Sequence, residues 1–222
     1  MGIATAPYSA YDLLTQFGAF TFEQPMSLAA FTQFCEQYPD LIAEREAWGK
    51  VSVMSPVESA SGENEGHVFG YVYAWNLTHG KSGRVYSPST GFLLGGEAIR
   101  CGDTAWVSQE RLAPFLADPD YRSKWVDVCP EFVVELKSES DHLPKLQQKM
   151  TDTWLANGTQ LGWLIDPEQE VVYVYRAGES EPEQLRGFYR YRAEWGGGVA
   201  WVYVPAGGAE RLIQAAHVNH SS

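Results

Sequence analysis

Apolar residues recur at helical spacing in three stretches of the chain. The hydroxyl of Ser27 can cap the first helix, since apolar residues follow at helical spacing until Pro39 interrupts the pattern. The same spacing predicts helices over about 64–78 and from Asp141 to about Asn157.

Extended segments are expected between these helices. Trp48 and Gly49 form a short turn between segments 41–46 and 50–54, which predicts a β-hairpin. Segment 55–63 is rich in Ser, Gly and Glu and predicts a surface loop. Further strands are expected at 84–86, 91–94, 104–107, 132–137, 160–165, 171–175 and 199–204. This mixed order of strands and helices predicts an α/β or α+β sheet with helices on its faces.

Length and composition predict a globular protein. The chain has 222 residues, of which 45% are hydrophobic and 20% are charged, and these values exclude a disordered, collagen-like or coiled-coil protein. The sequence shows no internal repeat and no segment of linker-like composition. Residues 1–222 are therefore expected to form one domain, with 177–222 as an extension whose role is open.

The net charge bears on the choice of partner. The acidic residues number 28 and the basic residues 16, which gives a formal charge of −12 at pH 7. A charge of this sign keeps a protein in solution and repels polyanions at long range. A surface that coats nucleic acid broadly is therefore not expected.

Cysteine usage and targeting patterns favour the cytoplasm. Cys35, Cys101 and Cys129 are odd in number and widely spaced, so they predict neither a disulfide framework nor a zinc knuckle. Residues 1–18 show no signal-peptide pattern, and no apolar run approaches the roughly 18 residues of a membrane span. We expect a cytoplasmic protein with reduced thiols and no membrane partner.

The predicted strand 132–137 carries two charges. Alternate residues of a strand share a face, so Glu135 and Lys137 point to one side and the apolar residues pack on the other. Burying such charges is costly unless a partner, water or a metal compensates each of them. The pair is either a mutual salt bridge at a sheet edge or part of a functional site.

Asp103 supports the second interpretation. It precedes the apolar run 104–107, and two neighbouring strands could bring it close to Glu135. Repelling carboxylates are often held together by a hard divalent cation such as Mg²⁺, beside which a lysine can orient or deprotonate a water molecule. Taken alone, Asp103 could also be a turn or strand-cap residue.

Several further blocks of sequence occur in a recognisable order. They are Leu41–Arg45, Val51–Pro56, Ser89–Phe92, Ala105–Val107, Cys129–Leu136, Leu146–Met150, Asn157–Gly158 and Leu161–Pro167. Together they resemble the Uma-type restriction endonuclease family, within the PD-(D/E)XK nuclease superfamily, over about residues 26–176. The number and order of the blocks make this resemblance more specific than a lone D…ExK pattern.

The resemblance implies a fold, a site and a cofactor. The fold is a restriction-endonuclease-like α/β (α+β) core, with a central mixed β-sheet flanked by helices. Asp103 and Glu135 are expected to bind Mg²⁺ or Mn²⁺, together with Glu44 and the backbone carbonyl of Leu136, and Lys137 is expected to be the catalytic lysine. Taken alone, Glu44 could instead be a solvated charge on a strand.

Two other features concern the same site. Gln147 and Lys149 fall on the helix after the ExK strand, where the superfamily often keeps a polar residue facing the site, although Lys149 could equally be a surface lysine. Gly102 replaces the proline of the family's Pro-Asp pair. Because that proline contributes no ligand, the replacement affects the rigidity of the turn more than the chemistry.

The residues and the resemblance together predict a Mg²⁺-dependent endonuclease that hydrolyses DNA phosphodiester bonds and forms a homodimer. The net charge of −12 favours an alternative, a nuclease fold that no longer cuts and serves as a binding or assembly module. A phosphodiesterase for RNA or small nucleotides would keep the same site.

Overall fold

The computed structural model describes residues 9–78, 81–186, 188–195 and 198–205, the last two ranges by their backbone. The helices are α1 (Ala10–Phe17), α2 (Leu28–Gln37), α3 (Ser59–Thr78), α4 (Gln109–Leu116) and α5 (Leu143–Gln148). The strands are β1 (Phe20–Thr21), β2 (Ile42–Arg45), β3 (Val51–Met54), β4 (Gly83–Tyr86), β5 (Phe92–Leu94), β6 (Ala98–Arg100), β7 (Thr104–Ser108), β8 (Phe132–Leu136), β9 (Leu161–Asp166), β10 (Val171–Arg176), β11 (Glu183–Arg186), β12 (Phe188–Trp195) and β13 (Gly198–Pro205).

A mixed six-stranded sheet forms the centre of the fold, in the order β11-β10-β9-β8-β7-β4. Strands β8 and β9 pair in parallel, while β7 and β10 flank them in antiparallel pairs. Val133 and Val134 of β8 are fully buried on opposite faces, because both faces of the sheet are covered. The expected mixed sheet flanked by helices is confirmed.

Different helical segments cover the two faces of this sheet. Val72 of α3 packs with Val134 on one face. On the other face, Met150 and Trp154 pack with Val133 in the largest core cluster of the described residues, and both are fully buried. The segment that follows β8 along the chain therefore covers the face on which Glu135 also lies, since Glu135 is two residues after Val133.

A second sheet is antiparallel, in the order β1-β3-β2-β6-β5. Its centre is the predicted hairpin of β2 and β3, and the fully buried ring of Phe31 from α2 packs on it. Residues 101–103 connect β6 of this sheet to β7 of the mixed sheet. Side chains from both sheets can therefore meet around this connection.

The helices differ from the sequence-based expectations in three places. Helix α3 begins at Ser59, inside the predicted loop 55–63, because its first two turns are largely exposed and carry no apolar stripe. Helix α1 was not predicted, although Ser9 and Asp12 form a capping box at its start. The expected helix from Asp141 to Asn157 consists of α5, a π-helical turn and a 3₁₀ turn.

The expected C-terminal extension begins as part of the mixed sheet. Strand β11 pairs with β10, and β12 pairs with β13 as a separate two-stranded hairpin. Residues 206–222 lie outside the described residues. The domain limits therefore stay a prediction. Among the helices that the structure describes, none has the length and apolar character to cross a membrane.

Gly83 illustrates how tightly the mixed sheet packs at its edge. The side chain of Asn76 both donates to and accepts from the backbone of Gly83, at 3.0 and 3.1 Å, and accepts a hydrogen bond from the Trp106 indole. A Cβ atom at position 83 would lie 2.3 Å from the carbonyl oxygen of Val107. A real Cβ cannot come so close, so only glycine fits without a shift of the backbone.

We expect Gly83→Ala to lower the free energy of unfolding by about 1–3 kcal/mol, because the strand must move to relieve this overlap. Gly70→Ala is the matched control: a Cβ there meets no atom within 4 Å, and alanine in a helix is about 1 kcal/mol better than glycine. Urea unfolding of both variants measures the difference. Equal stability of the two variants would contradict this account of the packing.

Candidate functional site

Adjacent strands bring Asp103 and Glu135 together. Thr104 pairs with Val134 in the antiparallel ladder of β7 and β8, so the residue before Thr104 lies beside the residue after Val134. The carboxylate of Asp103 accepts a hydrogen bond from the backbone N–H of Leu136 at 2.5 Å. The two predicted carboxylates therefore share one end of the strand pair.

Glu44 reaches the same place from the second sheet. Its Oε1 accepts a hydrogen bond from the backbone N–H of Cys101 at 2.9 Å, and its Oε2 lies 3.2 Å from a guanidinium nitrogen of Arg100. Glu44 is thus held by paired groups and is not a solvated strand charge. We refer to Glu44, Asp103 and Glu135 as the carboxylate cluster.

Lys149 links two members of this cluster, Glu44 and Glu135. Its Nζ lies 3.1 Å from Glu44 Oε1 and 2.9 Å from Glu135 Oε1, and it donates to the backbone carbonyl of Cys101 at 2.8 Å. The side chain of Lys149 is only 15% exposed, so it is not a surface lysine. The amine that the structure brings to the carboxylates comes from the helical segment after β8.

Trp154 contacts Glu135 from the same helical segment. Its indole Nε1 donates to Glu135 Oε1 at 2.7 Å, and the residue is fully buried. Glu135 is 3% exposed and receives hydrogen bonds from both Trp154 and Lys149. These contacts satisfy a buried carboxylate that would otherwise be costly.

Burial and charge move the pKa values of the cluster in opposite directions. Burial raises the pKa of Glu135 to about 7 and that of Asp103 to about 6, although the charge of Lys149 partly offsets both shifts. Burial alone would raise the pKa of Glu44, but Lys149 and Arg100 outweigh it and hold that pKa below its usual value. Burial likewise opposes the charge of Lys149, yet Glu135 and Glu44 raise its pKa.

Arg100 extends the network to the surface. Its guanidinium pairs with Glu44 and makes a second, short contact with Glu46. The Arg100 side chain is 9% exposed and the Glu46 side chain 44% exposed. Arg100 therefore neutralises the outer side of Glu44 and leaves its Oε1 oxygen to Cys101 and Lys149.

Lys137 has different partners from those the sequence suggested. Its Nζ lies 3.2 Å from a carboxylate oxygen of Glu168 and 3.3 Å from the backbone carbonyl of Ser138. Among the described residues, no hydrogen bond or ion pair joins Lys137 to the carboxylate cluster, and none joins it to Glu135 as a mutual salt bridge. Its catalytic role stays a prediction.

The backbone around the cluster bears on two other expectations. Leu136 contributes its N–H to Asp103, while the metal-binding role of its carbonyl stays a prediction. A Cβ at Gly102 would lie 2.6 Å from Cγ2 of Val133. The departure from the family's proline therefore coincides with a close approach of the turn to β8, which glycine allows.

The donor set agrees in chemistry with a hard divalent cation, because the cluster offers carboxylate oxygens. Asp103 Oδ1 accepts no hydrogen bond from the described residues, so it is available to a ligand. Lys149, however, binds the oxygens of both Glu44 and Glu135, and no three His, Cys, Asp or Glu side chains of the described chain are placed to hold a metal ion. A cation held by Asp103 and Glu135 would compete with Lys149 for the Glu135 oxygens.

Two members of the site were not expected from the sequence, and the role of a third was open. Arg100 and Trp154 were not predicted, and Lys149 was expected to be either a residue that faces the site or a surface lysine. Lys149 and Trp154 are five residues apart, and a π-helical turn brings them to the same carboxylate. An expectation of a regular α-helix gives no reason to pair residues at that spacing.

Two comparisons with known proteins find similar proteins. A family model described as "Uma2: Putative restriction endonuclease" matches residues 28–193. A crystal structure of a protein from Anabaena variabilis, described as a "putative nuclease belonging to DUF820", has a TM-score of 0.59 and 19% identity. The alignment covers 77% of this chain and 90% of that chain. At this level of identity, the likeness shows the fold.

A search of curated proteins finds no match to the chain. The family model, by contrast, covers most of the sequence and includes every residue of the carboxylate cluster as well as Lys149. The resemblance to Uma-type proteins is therefore confirmed, and the chain belongs to the Uma2 restriction endonuclease family.

Proposed function

We propose that this protein is a metal-dependent endonuclease that hydrolyses DNA phosphodiester bonds at the carboxylate cluster. The observation that carries the proposal is the convergence of Asp103 and Glu135, from neighbouring strands, with the buried amine of Lys149. Carboxylate oxygens beside a lysine are the donor set expected for Mg²⁺ or Mn²⁺ in phosphodiester hydrolysis. Membership of a restriction endonuclease family supports the same reaction class.

Each side chain of the cluster has a distinct part in this proposal. Asp103 and Glu135 would hold the cation, with Glu44 and the Leu136 carbonyl as further expected ligands. When bound, Mg²⁺ or Mn²⁺ supplies a Lewis acid that polarises the phosphate and lowers the pKa of a water molecule. The carboxylates must be ionised to serve in this way.

Lys149 is the amine that the geometry favours for the catalytic role. It is protonated, because Glu135 and Glu44 raise its pKa, and it can offset negative charge that develops on a phosphate oxygen. Its bonds to Glu44 and Glu135 also hold those carboxylates in place before a cation binds. Lys137 remains the alternative, as the family resemblance implies.

The proposed substrate is DNA, and the proposed assembly is a homodimer. The net charge of −12 opposes binding of any nucleic acid at long range. Contact with a phosphodiester must therefore be local, through the cation and the amine of the site. RNA and small nucleotides carry the same phosphodiester and are tested as substrates in the same assay.

One observation favours the second candidate, a module that binds without cutting. Both oxygens of Glu44 and both oxygens of Glu135 already have partners within the chain. An ion-pair network of this kind can be purely structural. Calorimetric titration with Mn²⁺ distinguishes the candidates: binding that is lost in Asp103→Asn supports the nuclease, and no binding by the wild type supports the module.

Glu135→Gln is expected to abolish cleavage of plasmid and linear DNA in the presence of Mg²⁺ or Mn²⁺, by roughly 100-fold or more, because a cation ligand is lost. EDTA should do the same to the wild type. Glu110→Gln, an exposed position on α4, is the matched control and should cut normally. Equal nicking by Glu135→Gln and the wild type would exclude this site.

Lys149→Met is expected to reduce cleavage by roughly 100-fold or more, whereas Lys137→Met should change it less than about threefold. Mn²⁺ should raise the melting temperature of Lys149→Met more than that of the wild type, because the amine no longer competes for Glu135. The two variants are compared by cleavage rate and by thermal melting with and without Mn²⁺. The opposite order of cleavage defects would assign the catalytic role to Lys137.

Mn²⁺ binding is expected to weaken as the pH falls from 8 to 5.5. The pKa of Glu135 is raised to about 7 and that of Asp103 to about 6, so protons compete for both carboxylates over this range. Calorimetry at several pH values should show an affinity loss of roughly 10-fold or more. An affinity that stays constant down to pH 6 would mean that other groups hold the cation.

A further inference from the structure

Trp154 is a fully buried tryptophan whose indole N–H bonds to a carboxylate. Its Nε1 donates to Glu135 Oε1 at 2.7 Å, within the carboxylate cluster. The indole Nε1 of Trp163 is also buried but has no hydrogen-bond partner among the described residues. Burial in this fold therefore does not by itself require a partner for an indole N–H, and the bond from Trp154 calls for a more specific explanation.

A π-helical turn determines which residues share this carboxylate. The turn spans Lys149–Trp154, and the N–H of Leu155 is shared between the carbonyls of Met150, five residues earlier, and Thr151, four residues earlier. In a regular α-helix, residues five apart point about 140° away from each other. The wider π turn places them one turn apart on the same side, and such turns are frequent at functional sites.

The two side chains act on the same oxygen atom. Lys149 Nζ lies 2.9 Å from Glu135 Oε1, the oxygen that also receives the Trp154 indole N–H. The ammonium lies 6.0 Å from the centre of the Trp154 ring, within the range of a cation–π contact. Trp154 thus restrains both the acid and the amine of the site.

Trp154 also packs in the core, which is the simpler explanation for its presence. Its ring meets Phe92 edge to face, with ring centroids 6.1 Å apart, and it belongs to the cluster that contains Met150 and Leu164. A phenylalanine or leucine could fill a core position of this kind. The hydrogen bond to Glu135 is what an apolar side chain could not provide.

We propose that Trp154 is a positioning residue for the reaction given above, whose indole N–H orients the Glu135 carboxylate toward a bound cation while its ring restrains Lys149. This inference rests on the proposed function, because it concerns the same carboxylate. Groups that orient a metal-binding carboxylate typically change metal affinity or activity by roughly 10- to 100-fold when they are removed.

The test compares Trp154→Phe with Trp163→Phe in the full chain. Each variant replaces an indole whose Nε1 atom is buried by a phenyl ring, but only the first removes an N–H that is bonded to Glu135. Mn²⁺ affinity is measured by calorimetry, stability by thermal melting, and DNA cleavage by its kcat and KM. Trp154→Phe should lose roughly 10-fold or more in Mn²⁺ affinity and in kcat, with KM for DNA little changed, whereas Trp163→Phe should lose stability alone.

A Trp154→Phe protein that is folded and binds Mn²⁺ within twofold of the wild type would overturn the inference and leave the proposed function intact. A wild type that binds no Mn²⁺ would overturn both. If Trp154→Phe does not fold, benzothienylalanine at position 154 decides the question, since it keeps the shape of the indole and replaces its N–H by sulfur. Normal Mn²⁺ affinity in that variant would then reject the role of Trp154.

Discussion

The ion pair between Glu135 and Lys149 is the interaction on which the rest of the site depends. Both charges are largely removed from water, with side-chain exposures of 4% and 15%, so each would be costly without the other. The distance of 2.9 Å between them links β8 to the helical segment that covers its face. The backbone must therefore hold Lys149 close to Glu135. Lys149 is the first residue of the π-helical turn.

The need to pair buried charges also joins the two sheets. Glu44 comes from the antiparallel sheet, yet its Oε1 is bonded to Lys149, which packs on the mixed sheet. The guanidinium of Arg100 pairs with Oε2 of Glu44, and the backbone N–H of Cys101 donates a hydrogen bond to its Oε1. The site consequently combines three carboxylates with two positively charged side chains, Lys149 and Arg100. The pKa values of the carboxylates depend on this balance of charge. Glu135 and Asp103 hold protons more tightly than usual, while Glu44 stays ionised.

Part of this site could be predicted from local patterns. Strand alternation placed Glu135 on the face opposite Val134, and the turn before β7 placed Asp103 at the start of its neighbour. The ExK spacing pointed to Lys137, but in the fold Lys137 pairs with Glu168 from the turn after β9. Spacing along one strand predicts the face of the sheet from which a side chain projects. Because a lysine side chain is long and flexible, its ammonium can still pair with a residue that is distant in the sequence.

The sequence by itself determined five of the six strands of the central sheet and most of the helices, and the order of its family blocks pointed to the three carboxylates. The strands and helices follow from periodicities and turn residues that act over a few positions, whereas Glu44 was expected at the site only from the family resemblance. Only the tertiary structure decided that Lys149, Arg100 and Trp154 join those carboxylates. Such contacts span up to 105 positions along the chain, between Glu44 and Lys149. They depend on packing and on a single π turn, for which a local pattern carries no signal.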